Sequence, residues 1–400
     1  GAISSAGQSA CFTRRTSGVR ISHRPLVIRD CFYSLFFVDF IIMETFLSYL
    51  KFYVSPILLI ALGVGVYIDG VPGLIILLSV IAFITIGELF FGDDLSIPKY
   101  RFPFLLDLAV FINVPLFFIV LYLFLTRVSN GFELYHLFYI PIIGLQMALS
   151  WINVGHELVH RKSKKFDCEV GNWALAGSWL PAFAIEHIYG HHKNIGVISE
   201  DPVTASAGDN PLKFAVVAFV KEHIHAWGIE TRQLRRRNQA IFSFRNRILV
   251  GYLRTIILFC LIGYFFNWIG MVTYIALGVV ANYIFQITNF IEHYGLVRVK
   301  GKPVEYHHSW NSNNRMTSYL TYNLTRHSDH HVNSRKEFWE LNPCLDSGIS
   351  LPSGYLTYIL LFTFFPSYAK SQMYPRLKNW HLHYASDDEK KMTSQYVDFA

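Results

Sequence analysis

From Phe52 onward the chain alternates long apolar runs with short polar breaks. The runs occupy 52–68, 71–91, 104–125, 132–154, 248–266 and 269–291. The second has 21 residues. Wound as a helix it is about 31 Å long, the thickness of a bilayer's hydrocarbon core. Asp69-Gly70, Gly92-Asp93-Asp94, Ser129-Asn130-Gly131 and Asn267-Trp268 separate neighbouring runs, as hairpin connections do. The pattern predicts an all-α integral membrane protein with six transmembrane helices. Pro56 and its short length make the first run the least regular.

Composition agrees. Hydrophobic residues are 52% and charged residues 16%, against about 25% charged in soluble domains. Disorder, collagen, coiled coil and a disulfide scaffold are excluded. The formal charge of +7 resides mostly in loops. Residues 155–247 hold 13 Lys or Arg, including Arg161, Lys162, Lys164 and Lys165. The alternate connections 69–70, 126–131 and 267–268 hold one, Arg127. Basic loops stay inside, so both termini and 155–247 are expected on the cytoplasmic side of a multi-pass protein. A bacterial inner membrane fits best, and no nucleic-acid partner is called for.

Three parts follow. Residues 1–42 form a Ser- and Arg-bearing extension of doubtful relevance, with Met43 the expected start of the folded protein. Residues 43–291 form the six-span domain with a cytoplasmic insertion at 155–247. Residues 292–400 are a cytoplasmic region whose apolar patch at 355–365 is too short to span.

Histidine is the unusual residue, at 17. Four clusters fall at the cytoplasmic end: His156 and His160; His187, His191 and His192; His293; and His327, His330 and His331. Helical spacing puts several on shared faces. Packed without metal, these nine would leave buried polar groups unpaired. His23, His136, His381 and His383 have no such company, and His223, His225, His307 and His308 lie near the clusters without matching spacing. Imidazole suits iron, zinc, copper or nickel. Nine ligands exceed a tetrahedral zinc, and two iron ions with open positions, forming a histidine-rich catalytic cap, fit best. Glu157, Glu186, Glu292, Asp329 and Asp201 are candidate partners for the outer ring N–H of the ligands. His156-Glu157-Leu158-Val159-His160 also matches the HExxH helix of zinc proteases, which leaves seven histidines unexplained. A metal-storing or metal-transporting membrane protein is a further alternative, disfavoured because the polar groups gather at one end rather than along the spans.

The five cysteines Cys11, Cys31, Cys168, Cys260 and Cys344 form no CxxC pair. No redox module or cofactor-binding domain for flavin or NAD is evident, so electrons must come from a separate protein. Arg232, Arg235, Arg236 and Arg237 form a dense basic run, a candidate landing site for an acidic carrier. Counting back from His156 on an α-helix gives Ile152, Leu149 and Leu145, an apolar face suited to a hydrocarbon channel. The same count from His293 gives Asn289, Gln286 and Asn282, a polar stripe expected to join helices and to support the metal site.

The stretches HELVHRK (156–162), EHIYGHH (186–192), NFIEHYG (289–295), HSWNS (308–312) and LTRHSDHH (324–331) resemble the membrane-bound alkane 1-monooxygenases, with xylene monooxygenase as a relative. The histidine boxes alone are shared with membrane fatty-acid desaturases; Glu292-His293-Tyr294-Gly295 favours the hydroxylases. Phe290, Thr325 and Val159-His160-Arg161 depart from the usual pattern without loss of a ligand. The resemblance implies two irons held by the nine histidines, hydroxylation of terminal or benzylic methyl groups, and a rubredoxin or ferredoxin-type donor with its reductase. A desaturase or epoxidase would use the same metal site.

Overall fold

Long apolar segments must satisfy their backbone internally, and helices do so. The computed structural model describes residues 46–394; the 1–42 extension lies outside them. Its first four helices are α1 (Phe46–Ile68), α2 (Gly70–Phe90), α3 (Pro103–Asn130) and α4 (His136–His160). Then come α5 (Lys165–Gly177), α6 (Phe183–Glu186) and α7 (Pro211–Arg236). The last two spans are α8 (Arg247–Phe265) and α9 (Trp268–His293). The remainder is α10 (Arg315–Leu320), α11 (His327–Val332), α12 (Tyr355–Phe364), α13 (Pro366–His383) and α14 (Asp387–Thr393). Among the described residues the sheet content is one two-residue parallel pair, Trp310–Asn311 on Ile349–Ser350. Six helices, α1–α4, α8 and α9, are long and apolar enough to cross a membrane.

Boundaries differ from the sequence expectation where polar side chains find partners. The first span runs from Phe46, not from 52, because Lys51 is buried against Asp94 at 2.9 Å. The third continues past Arg127, which reaches the Tyr67 carbonyl. The fourth continues to His160, so the first histidine pair sits on the span itself. Within it a π-helical turn covers Ala148–Asn153.

The segment 155–247 packs closely on the spans. Helix α5 folds back along α4 through glycines. A Cβ on Gly171 would meet the Gly155 carbonyl at 3.0 Å, and one on Gly155 would meet the Leu175 side chain at 2.7 Å. Small residues permit this approach. The far end of α5 reaches α9, where the Tyr274 hydroxyl donates to the Gly177 carbonyl at 2.6 Å. Asn282 donates to the Ser178 carbonyl at 2.7 Å. Helix α6 returns the chain to the histidine-bearing end.

The region after α9 is tied to the spans. Glu88, near the end of α2, accepts from the backbone N–H of Leu356 and Thr357 at 2.9 and 2.7 Å. A carboxylate there satisfies the unpaired donors at the start of α12.

Candidate metal centre

All nine sequence-selected histidines meet at one end of the bundle, in two groups. His156, His160, His187, His192 and His330 form one; His191, His293, His327 and His331 form the other. In the first, Nε2 atoms converge. His156 Nε2 lies 2.9 Å from His187 Nε2 and 3.2 Å from His330 Nε2. His187 Nε2 lies 3.0 Å from the Nε2 atoms of both His160 and His192. In the second, His327 Nε2 lies 2.8 Å from His331 Nε2 and 3.3 Å from His293 Nε2.

These spacings identify cages. A neutral imidazole has one donor and one acceptor nitrogen, so several rings cannot all hydrogen-bond through one shared point. A metal with bonds of about 2.1 Å puts cis ligands about 3.0 Å apart in octahedral geometry. The donor set therefore fits transition-metal ions, and five donors in the first group exceed a tetrahedral site.

Electrostatics agree. Burial pushes His187, His192, His327, His330 and His331 well below the ordinary imidazole range, each helped by neighbouring rings. They are neutral, as ligands must be. His191 differs. Burial lowers it too, but Asp201, with Glu186 and Glu292, outweighs burial and raises it. Both Asp201 oxygens contact His191 Nδ1, at 3.1 and 3.0 Å, and Thr204 donates to Asp201 at 2.6 Å. Asp201 thus fixes the ring orientation.

Backbone geometry sorts the ligands. His187–His191 is a π-helical turn in which the His192 N–H donates to the His187 carbonyl. The i→i+5 bond sets His192 over His187, so both join the first group while His191 turns to the second. In α11, His330 goes to the first group and His327 and His331 to the second.

The other carboxylates divide. Glu292 Oε1 lies 3.4 Å from His327 Nδ1. Glu186 bonds His225 Nδ1 at 3.1 Å, not a ligand ring. Like Glu186, neither Glu157 nor Asp329 bonds a ligand ring. Glu157 turns to Arg161 at 3.0 Å. That guanidinium also meets Asp107, Asp167 and Glu337, and the carboxylates raise its pKa against the opposing effect of burial. Asp329 accepts from Asn333, Lys336 and the Asn342 N–H at 2.6, 2.7 and 2.7 Å. Each has a stronger cationic or N–H partner than a neutral imidazole.

Two arginines escaped sequence reasoning. Arg326 donates to the carbonyls of Leu341, Asp94 and Ser96 at 2.6, 2.8 and 3.0 Å, fixing the approach to His327. Arg298 holds the carbonyls of Ile195 and Lys193 at 2.7 and 2.8 Å, just beyond the π turn. Isolated basic residues carry no spacing signal. His307, His308 and Glu389 form a third candidate metal group. His308 has no free lone pair for it: Nδ1 accepts the Glu305 N–H at 2.9 Å and Nε2 bonds Glu389 at 3.0 Å.

An apolar cavity of about 90 Å³ abuts both cages, with His156, His187 and His327 in its wall. Leu145, Leu149 and Ile152 line it, and so do Ala148 and Asn153. The π turn widens the α4 face beyond what an α-helical count gives. Of the polar stripe on α9, Asn282 joins α5, Gln286 bonds Glu222 of α7, and Asn289 donates to Gln286 at 3.2 Å while facing the cavity. Arg232, Arg235, Arg236 and Arg237 are exposed at the end of α7.

Fold and site define an integral membrane protein with paired, histidine-caged metal sites at one end of its helices. A family model described as fatty acid desaturase matches residues 134–347, and the chain belongs to that family. It is 32% identical over 244 residues to alkane 1-monooxygenase 1 of Pseudomonas aeruginosa, covering 60% of this chain and 63% of that one. It is 35% identical over 238 residues to an alkane 1-monooxygenase of Pseudomonas putida, covering 57% of each. The xylene/toluene monooxygenase hydroxylase component of Pseudomonas putida is 26% identical over 356 residues, 86% of this chain and 93% of that one. The matches to the two alkane 1-monooxygenases thus span about three fifths of those relatives' lengths.

Proposed function

We propose that the chain is a membrane-bound non-haem diiron monooxygenase that hydroxylates a methyl C–H bond of a hydrocarbon, most simply the terminal carbon of an alkane. One observation carries the reading: an apolar cavity ends on three histidines that belong to the two cages, His156, His187 and His327. The names of the relatives support it.

Two irons, one per cage, would supply dioxygen activation. Substrate, dioxygen, two electrons and two protons give alcohol and water. The chain's own residues bind, orient and exclude. Leu145, Leu149 and Ile152 hold an apolar chain along α4 and point its end at His156. Phe183 and Phe285 wall the cavity against water. Electrons come from a rubredoxin or ferredoxin-type donor and its reductase. Arg232, Arg235, Arg236 and Arg237 form the landing surface for an acidic carrier. Within the cages only His160 and His192 are half-buried, so the five-histidine cage lies nearer solvent. The distribution of Lys and Arg supports a topology with both termini cytoplasmic, which a bacterial inner membrane would suit.

The protease reading loses its general base, because Glu157 is bound to Arg161. A desaturase or epoxidase on the same cages is separated by product. Membranes holding the protein, NADH, a donor pair and a panel of alkanes and alkylbenzenes should yield primary or benzylic alcohols. Alkenes or epoxides alone would assign the alternative. A peptidase activity with no oxidised hydrocarbon would contradict both.

A further inference from the structure

A second groove lies behind the His187–His191 turn, between α5 and α8, with a volume of about 380 Å³. Its walls include Val159, Pro181, Ala184, Ile185, Ile188 and Val250. Three cations, Lys162, Arg247 and Arg254, and one carboxylate, Glu169, stand at it. Arg254 donates to both Glu169 oxygens at 2.7 and 2.8 Å. Arg247 pairs with Glu230 at 2.5 Å. Lys162 is exposed, with its ammonium 5.0 Å from the Tyr189 ring centroid. The lining therefore carries an excess of positive charge.

Its surroundings are exposed and rich in apolar and aromatic side chains. Helix α8 is the span with the smallest buried share, 17%. In the loop before it, Phe242 and Phe244 are 82% and 85% exposed, with Arg237 and Arg245 on either side in sequence. Phe244 lines the groove itself. Exposed aromatics among arginines suit the headgroup layer, where rings bury and cations meet phosphates. Basic pockets between spans at this level recognise anionic headgroups.

We propose that this groove binds one anionic glycerophospholipid, with its phosphate beside Lys162, Arg247 and Arg254 and an acyl chain against Val250 and Ile185. The occupant packs on Ile188 and Tyr189, which lie between His187 and His191 in the π turn. It thus braces the segment that feeds both cages. The inference is independent of the hydroxylase reading.

The test uses the full chain in nanodiscs of mixed phosphatidylcholine and phosphatidylglycerol, with retained lipid read by native mass spectrometry. Phosphatidylglycerol should be retained in preference. Lys162→Gln should reduce that preference about five-fold, the contribution of one basic side chain at an anionic surface. Lys162 is exposed, so the variant keeps the fold. Val250→Trp should fill the slot and lower retention of both lipids. Equal retention in the parent chain, or a preference unchanged in both variants, overturns the proposal. Displacement of the lipid by an added acidic electron carrier also overturns it and assigns the groove to protein docking.

Discussion

The two histidine cages are neighbours built on different terms. The five-histidine cage takes its rings from α4, the π turn and α11, and two of its residues, His160 and His192, are only half-buried. No carboxylate bonds any of its rings among the described residues; Glu157 and Glu186 serve Arg161 and His225 instead. All four rings of the second cage are buried, and His191 is clamped by both oxygens of Asp201. An extra ligand thus accompanies exposure, while a charged clamp accompanies burial. The five-histidine cage is the more open of the two and the four-histidine cage the more enclosed.

That contrast can be broken by subtraction. The largest effect is expected at the four-histidine cage, which has no donor to spare. His293→Ala should abolish hydroxylation, whereas His192→Ala leaves four donors in the other cage and should keep measurable metal there. Quantifying iron and product for both variants decides it; equal loss would erase the asymmetry. Asp201→Asn comes next. Losing the charge that orients His191 should weaken metal binding about 10- to 100-fold, read as faster iron loss to a chelator. A Glu157→Gln variant, which touches no ligand ring, should show no such acceleration.

Substrate length offers a finer probe. Leu149→Trp should block long alkanes and spare short ones, since Leu149 lies along the cavity rather than at its metal end. A uniform loss across chain lengths, with normal iron content, would move the channel off this face. The basic run should act only on the donor side. Charge reversal at Arg235, Arg236 and Arg237 should raise the donor KM and flatten its salt dependence, and an unchanged donor KM would remove the landing site from that surface.

The smallest effect concerns the third candidate metal group. Burial raises the Glu389 carboxyl, but its bonds to His308 and Ser386 outweigh burial and pull it down to about 2. The folded pKa is depressed, so its contribution is complete above the ordinary carboxylate value of about 4.3. It fades as pH falls toward 2. Amide exchange in 387–393 should stay slow across mild acid, and Glu389→Gln should speed it by about 1–3 kcal/mol of lost docking. A response to added zinc or iron would show that the group binds metal after all.

How much of this the sequence disclosed depends on the kind of signal. Spans were legible from run length, and the nine histidines from their count and spacing. Their division between cages was not, because α-helical spacing cannot foresee the i→i+5 turn that sends His191 and His192 to different partners. The fold-back of α5 was hidden as well. It rests on Gly155 and Gly171 meeting across helices, and glycine has no hydrophobic signature. The contacts of Glu157 and Asp329 were not legible, because adjacency to a histidine says nothing of a stronger local partner, here Arg161 one helical turn on and Lys336 seven residues on. Polar residues inside apolar runs misplaced the span ends for the same reason, as Lys51 shows.

Two separate cages should each hold an iron. Elemental analysis of the purified chain, parent and variants together, tests it most directly. About two irons per parent chain are expected, from one site per cage, and about one should remain when the four-histidine cage is cut at His293 or His327. A single zinc per chain, lost on changing His156 or His160 and indifferent to His293 and His327, would contradict it.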